Sequence, residues 1–216
     1  GCGPGYFSAV FAEEAKEVIA LDLTDQGVTH TQRRIGHLAN VHVIQADLMR
    51  LPLRKEIADR VSSTGVLHHT PDPFGCFSSL VDRLKPGGEI AISVYSKYPW
   101  PARFFYQSLR KLTTAMTTQG IVRTARILVL FSYIPWRWIN WIAYPWAHRW
   151  PQASYKRRLW WTYDWYSPEH VHFYSEKEIR QWYRRAGLRH FRFFPEIGGY
   201  YKGTNPLGRE GQSQAS

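Results

Sequence analysis

The 216 residues predict a doubly wound α/β fold, with a mostly parallel sheet flanked by helices and interrupted by a helical, aromatic insert. Three observations carry that prediction. Short apolar runs alternate with polar, helix-compatible stretches through residue 96, and strands separated by helices pair in parallel because a crossover joins them. A glycine loop, Gly1 to Gly5, leads directly into a helical stretch. The alternation stops at Lys97 and resumes at Ser175, the pattern of one domain carrying an inserted lobe.

The elements follow in order. Tyr6 to about Glu17 is a helix, with Phe7, Val10, Phe11 and Ala15 near helical spacing. Val18 to Leu23 is a short strand around Asp22, Asp25 to Leu38 a second helix, and Val41 to Ala46 a strand that ends at Asp47. Arg60 to Leu67, interrupted by Ser62, Ser63 and Gly65, is a weaker strand. Pro73 to Leu84 is a helix stopped by the Lys85-Pro86-Gly87-Gly88 turn, and Glu89 to Tyr95 is a clear strand. Prolines 99, 101, 135, 145 and 151 divide the insert into short helices. Ser175 with Glu178 forms a capping box ahead of Ile179, Trp182 and Tyr183, and Gly187 closes that helix. Leu188 to Phe194 is the final expected strand, and the polar tail from Gly203 to Ser216 is expected to be disordered. The domain plan is a core over 1–96, an insert or lid over 97–165, a completing helix and strand over 166–202, and the tail.

Charge separates the two regions further. The chain carries a net +11, and residues 97–165 alone hold eleven Lys and Arg against a single acid, Asp164. Eight of the ten tryptophans lie between Trp136 and Trp165, so the insert has a job different from that of the core. Cys2 and Cys76 match neither a disulfide framework nor a zinc pattern, and no export signal is visible, so a reducing, cytoplasmic setting is expected.

The chemistry gathers where the strands end. Glycines in Gly1-Cys2-Gly3-Pro4-Gly5 let the backbone turn sharply and approach a ligand, while the next helix presents free N–H groups. A dinucleotide fingerprint would place its third glycine at position 6, where Tyr6 stands, and this disfavours a nicotinamide cofactor. Asp22 ends the next strand, where a carboxylate can accept ribose hydroxyls; an isolated Asp there would by default cap the following helix. Asp47 closes another strand at the same edge, and His68 and His69 follow a third. Either histidine can accept a proton from a hydroxyl or an acidic carbon, although a packing role is the commoner one for histidine. Asp164, with Arg157 and Arg158 nearby in sequence, is a third catalytic candidate. Tyr95, His170, His172 and Tyr174 are further, weaker candidates, and no metal site is inferred.

Taken in sequence, GCGPG, VIALDLT, VIQADLMRLP, STGVLHHTPDP and LVDRLKPGGEIAISVY resemble the successive motifs of class I S-adenosylmethionine-dependent methyltransferases of the ubiquinone/menaquinone-methyltransferase-like group. The resemblance covers residues 1–96 well and 167–194 more loosely, and it is specific as an ordered set of five. It implies a Rossmann-like fold with S-adenosylmethionine as cofactor. Gly1, Gly3 and Gly5 would bound its amino-acid part, Asp22 with Leu23 the ribose, Asp47 with Leu48 the adenine, and Val66 with Leu67 the pocket below the methyl donor. The family's domain usually opens with a helix and a strand ahead of the first glycine, so a central strand is expected to be missing here and the chain to be a fragment.

In such a family the segment after the fifth strand commonly recognises the acceptor, which makes 97–165 the expected specificity region. Trp, Tyr, Arg and Lys together suit a helix lying on an anionic membrane surface, and Pro135 and Pro145 break the longest weakly charged stretch, against a spanning helix. An aromatic lid packed on the sheet is the equal alternative. The expected partners are therefore a small or lipid-linked acceptor and an anionic membrane surface met peripherally, with nucleic acid disfavoured because no recognition module is present. Two rival readings remain: a cofactor-free, membrane-binding relative of the same fold, and a nicotinamide-dependent reductase.

Overall fold

The computed structural model describes residues 1–97, 100–131, 133, 152–195 and 200–206. The chain divides into two compact units, Gly1–Ser96 with Tyr174–Ser216, and Lys97–Phe173.

The first unit is α/β. Strands β1 (Val18–Asp22) and β2 (Val41–Gln45) pair in parallel, from Val18 opposite Val41 to Asp22 opposite Gln45. A four-stranded sheet has the order β3-β4-β6-β5, where β3 is Ala58–Thr64, β4 Leu84–Ser93, β5 Arg189–Phe194 and β6 Tyr200–Thr204. β3 and β4 run parallel, whereas β6 lies antiparallel to both β4 and β5. Among the described residues β1 pairs with β2 alone and β3 with β4 alone.

Helices α1 (Tyr6–Glu14), α2 (Asp25–Ile35), α3 (Pro73–Val81) and α7 (Glu176–Arg185) connect these strands. Each local start has a residue that explains it. Thr24 caps α2 by accepting from the Gly27 N–H, Asp72 caps α3 with Pro73 in its first turn, and Ser175 and Glu178 form the expected reciprocal box on α7. From Gly88 to Ser93 burial alternates along β4, so Ile90 and Ile92 meet Phe77 and Leu80 of α3 and Ile179 and Tyr183 of α7 in one core. α1 differs: Tyr6, Phe7, Val10 and Phe11 are all exposed.

The C-terminal strands depart from expectation. Leu188 to Phe194 is not the last strand, because Tyr200–Thr204 inserts between it and β4, and Gly203 and Thr204 belong to this strand and not to a disordered tail. Gly203 is required there, since a Cβ would lie 2.4 Å from the Tyr183 ring. Helix α3 also stops at Val81, short of Leu84, and the Lys85-Pro86-Gly87-Gly88 turn is absorbed into β4. Asn205 makes this possible. Its side-chain amide donates to the Leu84 and Lys85 carbonyls while its backbone exchanges hydrogen bonds with Gly87 and Gly88, so groups that a free turn would leave to water are satisfied. Residues 207–216 of the expected tail lie outside the described residues.

The second unit is helical: α4 (Trp100–Thr113), α5 (Thr118–Phe131) and α6 (Tyr155–Tyr166). Ile121, Ala125 and Val129 form the buried stripe of α5, and the Tyr106 ring packs against Trp165, Tyr166 and Phe173. This unit runs to Phe173, past the boundary at 165 drawn from sequence. Trp136, Trp138, Trp141, Trp146 and Trp150 lie outside the described residues.

Candidate cofactor site at the strand ends

The glycine loop is tied to the end of β1 by its own backbone. Gly3 and Gly5 sit at φ 53° and 77°, in the left-handed region that glycine adopts without a steric penalty. The Cys2 N–H donates to the Leu21 carbonyl at 2.7 Å, and the Gly3 N–H donates to Asp22 Oδ2 at 2.8 Å. Asp22 Oδ1 accepts from the Thr24 N–H at 2.9 Å and the Thr24 hydroxyl at 2.8 Å. Burial alone would raise the Asp22 carboxyl, but the bonds from Thr24 and Gly3 outweigh it and hold the group below its ordinary value. Asp22 thus anchors the loop as well as standing at the strand tip, and about one of its roughly four acceptor positions stays open for a ligand.

Three residues that the sequence reading did not single out complete this anchor. Thr24 supplies two of the three donors; its place two positions after an Asp is the signal that could have found it. Gly27 lets the Asp22 carboxylate lie against α2, since a Cβ there would fall 2.4 Å from Asp22 Cγ. Thr31, fully buried, donates to the Gly3 carbonyl at 2.8 Å, and nothing in its local sequence announces that role.

The other predicted residues sort by position. A Cβ on Gly1 would lie 2.4 Å from Val66 Cγ2, so the start of the loop packs on the residue just beyond β3. The Ala46 N–H donates to the Asp22 carbonyl at 2.8 Å, which places the ends of β1 and β2 side by side. Asp47 is exposed and accepts from the Met49 N–H at 2.9 Å, capping the short helical turn Leu48–Arg50. Leu23 is 62% exposed, and Leu48 packs partly against the core. Leu67 is fully buried among Cys76, Phe77 and Leu80, so its side chain serves the core.

His68 and His69 stand in the turn after β3. The buried His68 ring stacks on Tyr95 at 3.8 Å and 27°, and His69 meets the same ring edge-on at 5.4 Å. One tyrosine therefore holds both imidazoles at the end of β4. Asp164 lies on α6 in the second unit.

The helix that follows the loop is suited to an anion. Gly5 is the N-cap of α1 and offers no side chain, and no acid stands in the first turn, so no side chain caps the leading N–H groups at the positive end of the helix. Over Gly3 a Cβ would meet nothing within 4 Å. A carboxylate fits this cradle, as does a ribose at Asp22.

Residues 1–92 match the family model described as methyltransferase domain. Over that segment, less than half of the chain, the sequence is that of an S-adenosylmethionine-dependent methyltransferase domain. It is 33% identical over 103 residues to the malonyl-[acyl-carrier protein] O-methyltransferase of Marinomonas sp., covering 47% of this chain and 38% of that one. To the demethylmenaquinone methyltransferase of Clavibacter sepedonicus it is 30% identical over 99 residues, 46% and 40% of the two chains. The chain thus spans well under half the length of these curated relatives. Solved structures agree on the fold: a SAM-dependent methyltransferase from Aquifex aeolicus has a TM-score of 0.52 at 16% identity, covering 94% of this chain and 77% of that one. The CurJ carbon methyltransferase has 0.58 at 10%, covering 95% and 47%. S-adenosylmethionine is the cofactor that belongs to this family, and the amino-acid cradle and the Asp22 edge have the groups to hold it.

Proposed function

We propose that the chain transfers a methyl group from S-adenosylmethionine to a small or lipid-linked organic acceptor. The observation that carries this reading is the loop anchor: a glycine loop locked through Gly3 to a buried Asp22 beside an uncapped helix N-terminus. The α1 N–H groups would take the carboxylate of the cofactor, Asp22 with Leu23 the ribose, Asp47 with Leu48 the adenine, and Val66 would close the pocket below the sulfonium. The cofactor supplies an activated methyl carbon open to in-line displacement.

This chain's residues would orient the acceptor and handle its proton. With the cofactor bound, the acceptor's lone pair would take the methyl carbon in line while the carbon–sulfur pair returned to sulfur. The proton lost by a hydroxyl or acidic carbon passes to an imidazole, and His68 and His69, held by Tyr95, are the groups on hand at that edge. Asp164 is assigned to acceptor recognition within the insert. A peripheral position at the cytoplasmic face of a membrane fits both the lipid-linked acceptor and the basic insert.

The test has two readouts. Calorimetry with S-adenosylmethionine and with a reduced nicotinamide cofactor should show binding of the first alone. Turnover, followed as S-adenosylhomocysteine formed against hydroxyl, carboxyl and quinol acceptors, should fall by roughly 10²- to 10⁴-fold in His69→Gln with cofactor affinity unchanged. Turnover within a few fold of the parent would assign His69 to packing.

A further inference from the structure

Helix α5 has two faces of opposite character. Ile121, Ala125 and Val129 are buried within the unit, while Arg123, Arg126, Ile127 and Leu130 recur at helical spacing on the other side and are exposed, Ile127 by 57% and Leu130 by 63%. Along one stripe two guanidinium groups are followed by two large aliphatic side chains. Neither α4 nor α5 contains an acid, so no carboxylate on these helices neutralises the stripe. The neighbouring helices repeat the mixture with Leu112 exposed by 60% on α4 and Trp160 by 61% on α6. Among the described residues no helix is long and apolar enough to cross a membrane.

We infer that the exposed stripe of α5, Arg123, Arg126, Ile127 and Leu130, docks on an anionic lipid surface with the helix lying in the plane of the interface. The charge is complementary, since arginines draw the face toward acidic headgroups over a Debye length of about 8 Å at physiological salt. The aliphatic pair supplies the second half of the signal, because a leucine and an isoleucine gain from the acyl boundary what they cannot gain from a phosphate. A nucleic acid would reward the arginines but leave Ile127 and Leu130 in water, as neither has a π face on which a base can stack. The bound stripe would hold the insert at the lipid surface whether or not methyl transfer is the chemistry of the other unit.

Co-sedimentation of the full chain with vesicles tests this. Phosphatidylcholine alone is compared with phosphatidylcholine mixed with phosphatidylglycerol, at low and high salt. Binding should favour the anionic vesicles, weaken with salt and leave a salt-resistant remainder. Arg123→Gln with Arg126→Gln should lower partition at low salt by roughly 25-fold, from about fivefold per arginine. Ile127→Gln with Leu130→Gln should remove the salt-resistant part. A control pair in the other unit, Arg33→Gln with Arg54→Gln, both exposed, should leave partition within twofold. Because all these positions face solvent, every variant should melt like the parent and keep the parent's cofactor affinity by calorimetry, which separates failure of this surface from failure of the methyl-transfer reading. Equal binding to the two vesicle types, an equal loss in the control pair, or retention by RNA that survives the Ile127 and Leu130 substitutions would each overturn the assignment.

Discussion

Asp22 in the core unit and Arg110 in the insert are both buried, and each is held by neutral groups of its own chain. Asp22 takes its three hydrogen bonds from Gly3 and Thr24, at most 19 positions away and beside the glycine loop. Arg110 donates to the carbonyls of Trp165 and Glu169 at 3.1 Å each, and also to that of Pro168, 55 to 59 positions further along the chain. Tyr106 and Thr113 add bonds to the Trp165 and Tyr166 carbonyls at 2.6 and 3.1 Å. A carboxylate solvated by N–H groups shapes one loop. A guanidinium solvated by the carbonyls at the end of α6 ties two helices together, favoured further by the negative end of that helix. The buried anion of the core thus fixes the glycine loop, and the buried cation of the insert ties its helices together.

Arg110→Met tests this contrast most severely. It leaves the Pro168 and Glu169 carbonyls without the guanidinium and the Trp165 carbonyl with Tyr106 alone, so the insert should lose about 2 kcal/mol in a urea titration followed by tryptophan fluorescence, whose reporters lie mostly between Trp136 and Trp165. Arg110→Lys should recover only part, because an ammonium cannot span the same carbonyls. Cofactor affinity should hold in both. An unchanged titration midpoint would mean that the aromatic packing of Tyr106 on Trp165 and Phe173 carries the unit without the guanidinium.

Asp22→Ala should act in the opposite place. Loss of the loop anchor predicts cofactor binding weaker by roughly 1.5 to 3 kcal/mol by calorimetry, with a smaller effect on unfolding. Ribose-modified cofactor analogues sharpen the result. If Asp22 also meets the ribose, parent and variant should rank the analogues differently; equal losses for all would leave it an anchor alone. Its pH dependence has a definite sign. A carboxyl held below its ordinary value contributes stability that is present above about pH 4 and disappears as pH falls through the depressed folded value. Asp22→Asn should flatten that acid limb.

The contrast also explains what the sequence could and could not announce. That Asp22 and Asp47 stand at strand ends, and that glycines 1, 3 and 5 form the loop ahead of α1, was readable because each place is set by the local strand and helix pattern. The capping box at Ser175 and Glu178 was readable for the same reason, since it is local chemistry. Strand β6 was not. Tyr-Tyr-Lys-Gly-Thr holds no Val or Ile and sits beside a polar tail, and it becomes a strand through pairing with β4 on one side and β5 on the other. Leu67 entered with Val66 through the family resemblance, and the burial of its side chain in the core is a long-range outcome that no local pattern reports. Arg110 entered the sequence analysis only as one of eleven basic residues of the insert, since nothing local reports carbonyls more than 50 residues away.

The smallest expected effect completes the ladder. Glu89 on β4 lies opposite Thr204, so Lys202 on β6 is its diagonal neighbour, and their side chains meet at 2.8 Å, with Arg60 at 4.0 Å on the other side. The hydrogen bond from Lys202 holds the Glu89 carboxyl below its ordinary value. Both partners are more than a third exposed, so water and salt screen the pair, and ordering two long side chains offsets much of what remains. Glu89→Gln should shift the melting free energy by at most about 0.5 kcal/mol at low salt, and by nothing measurable at high salt. The direction is set by the same rule as for Asp22: the contribution is present above the ordinary carboxylate range and is lost on acidification. Melts of parent and variant in low and high salt decide it. A loss above about 1 kcal/mol that survives salt would show the core leaning on a side-chain ion pair, and its buried anion would then no longer distinguish it from the insert.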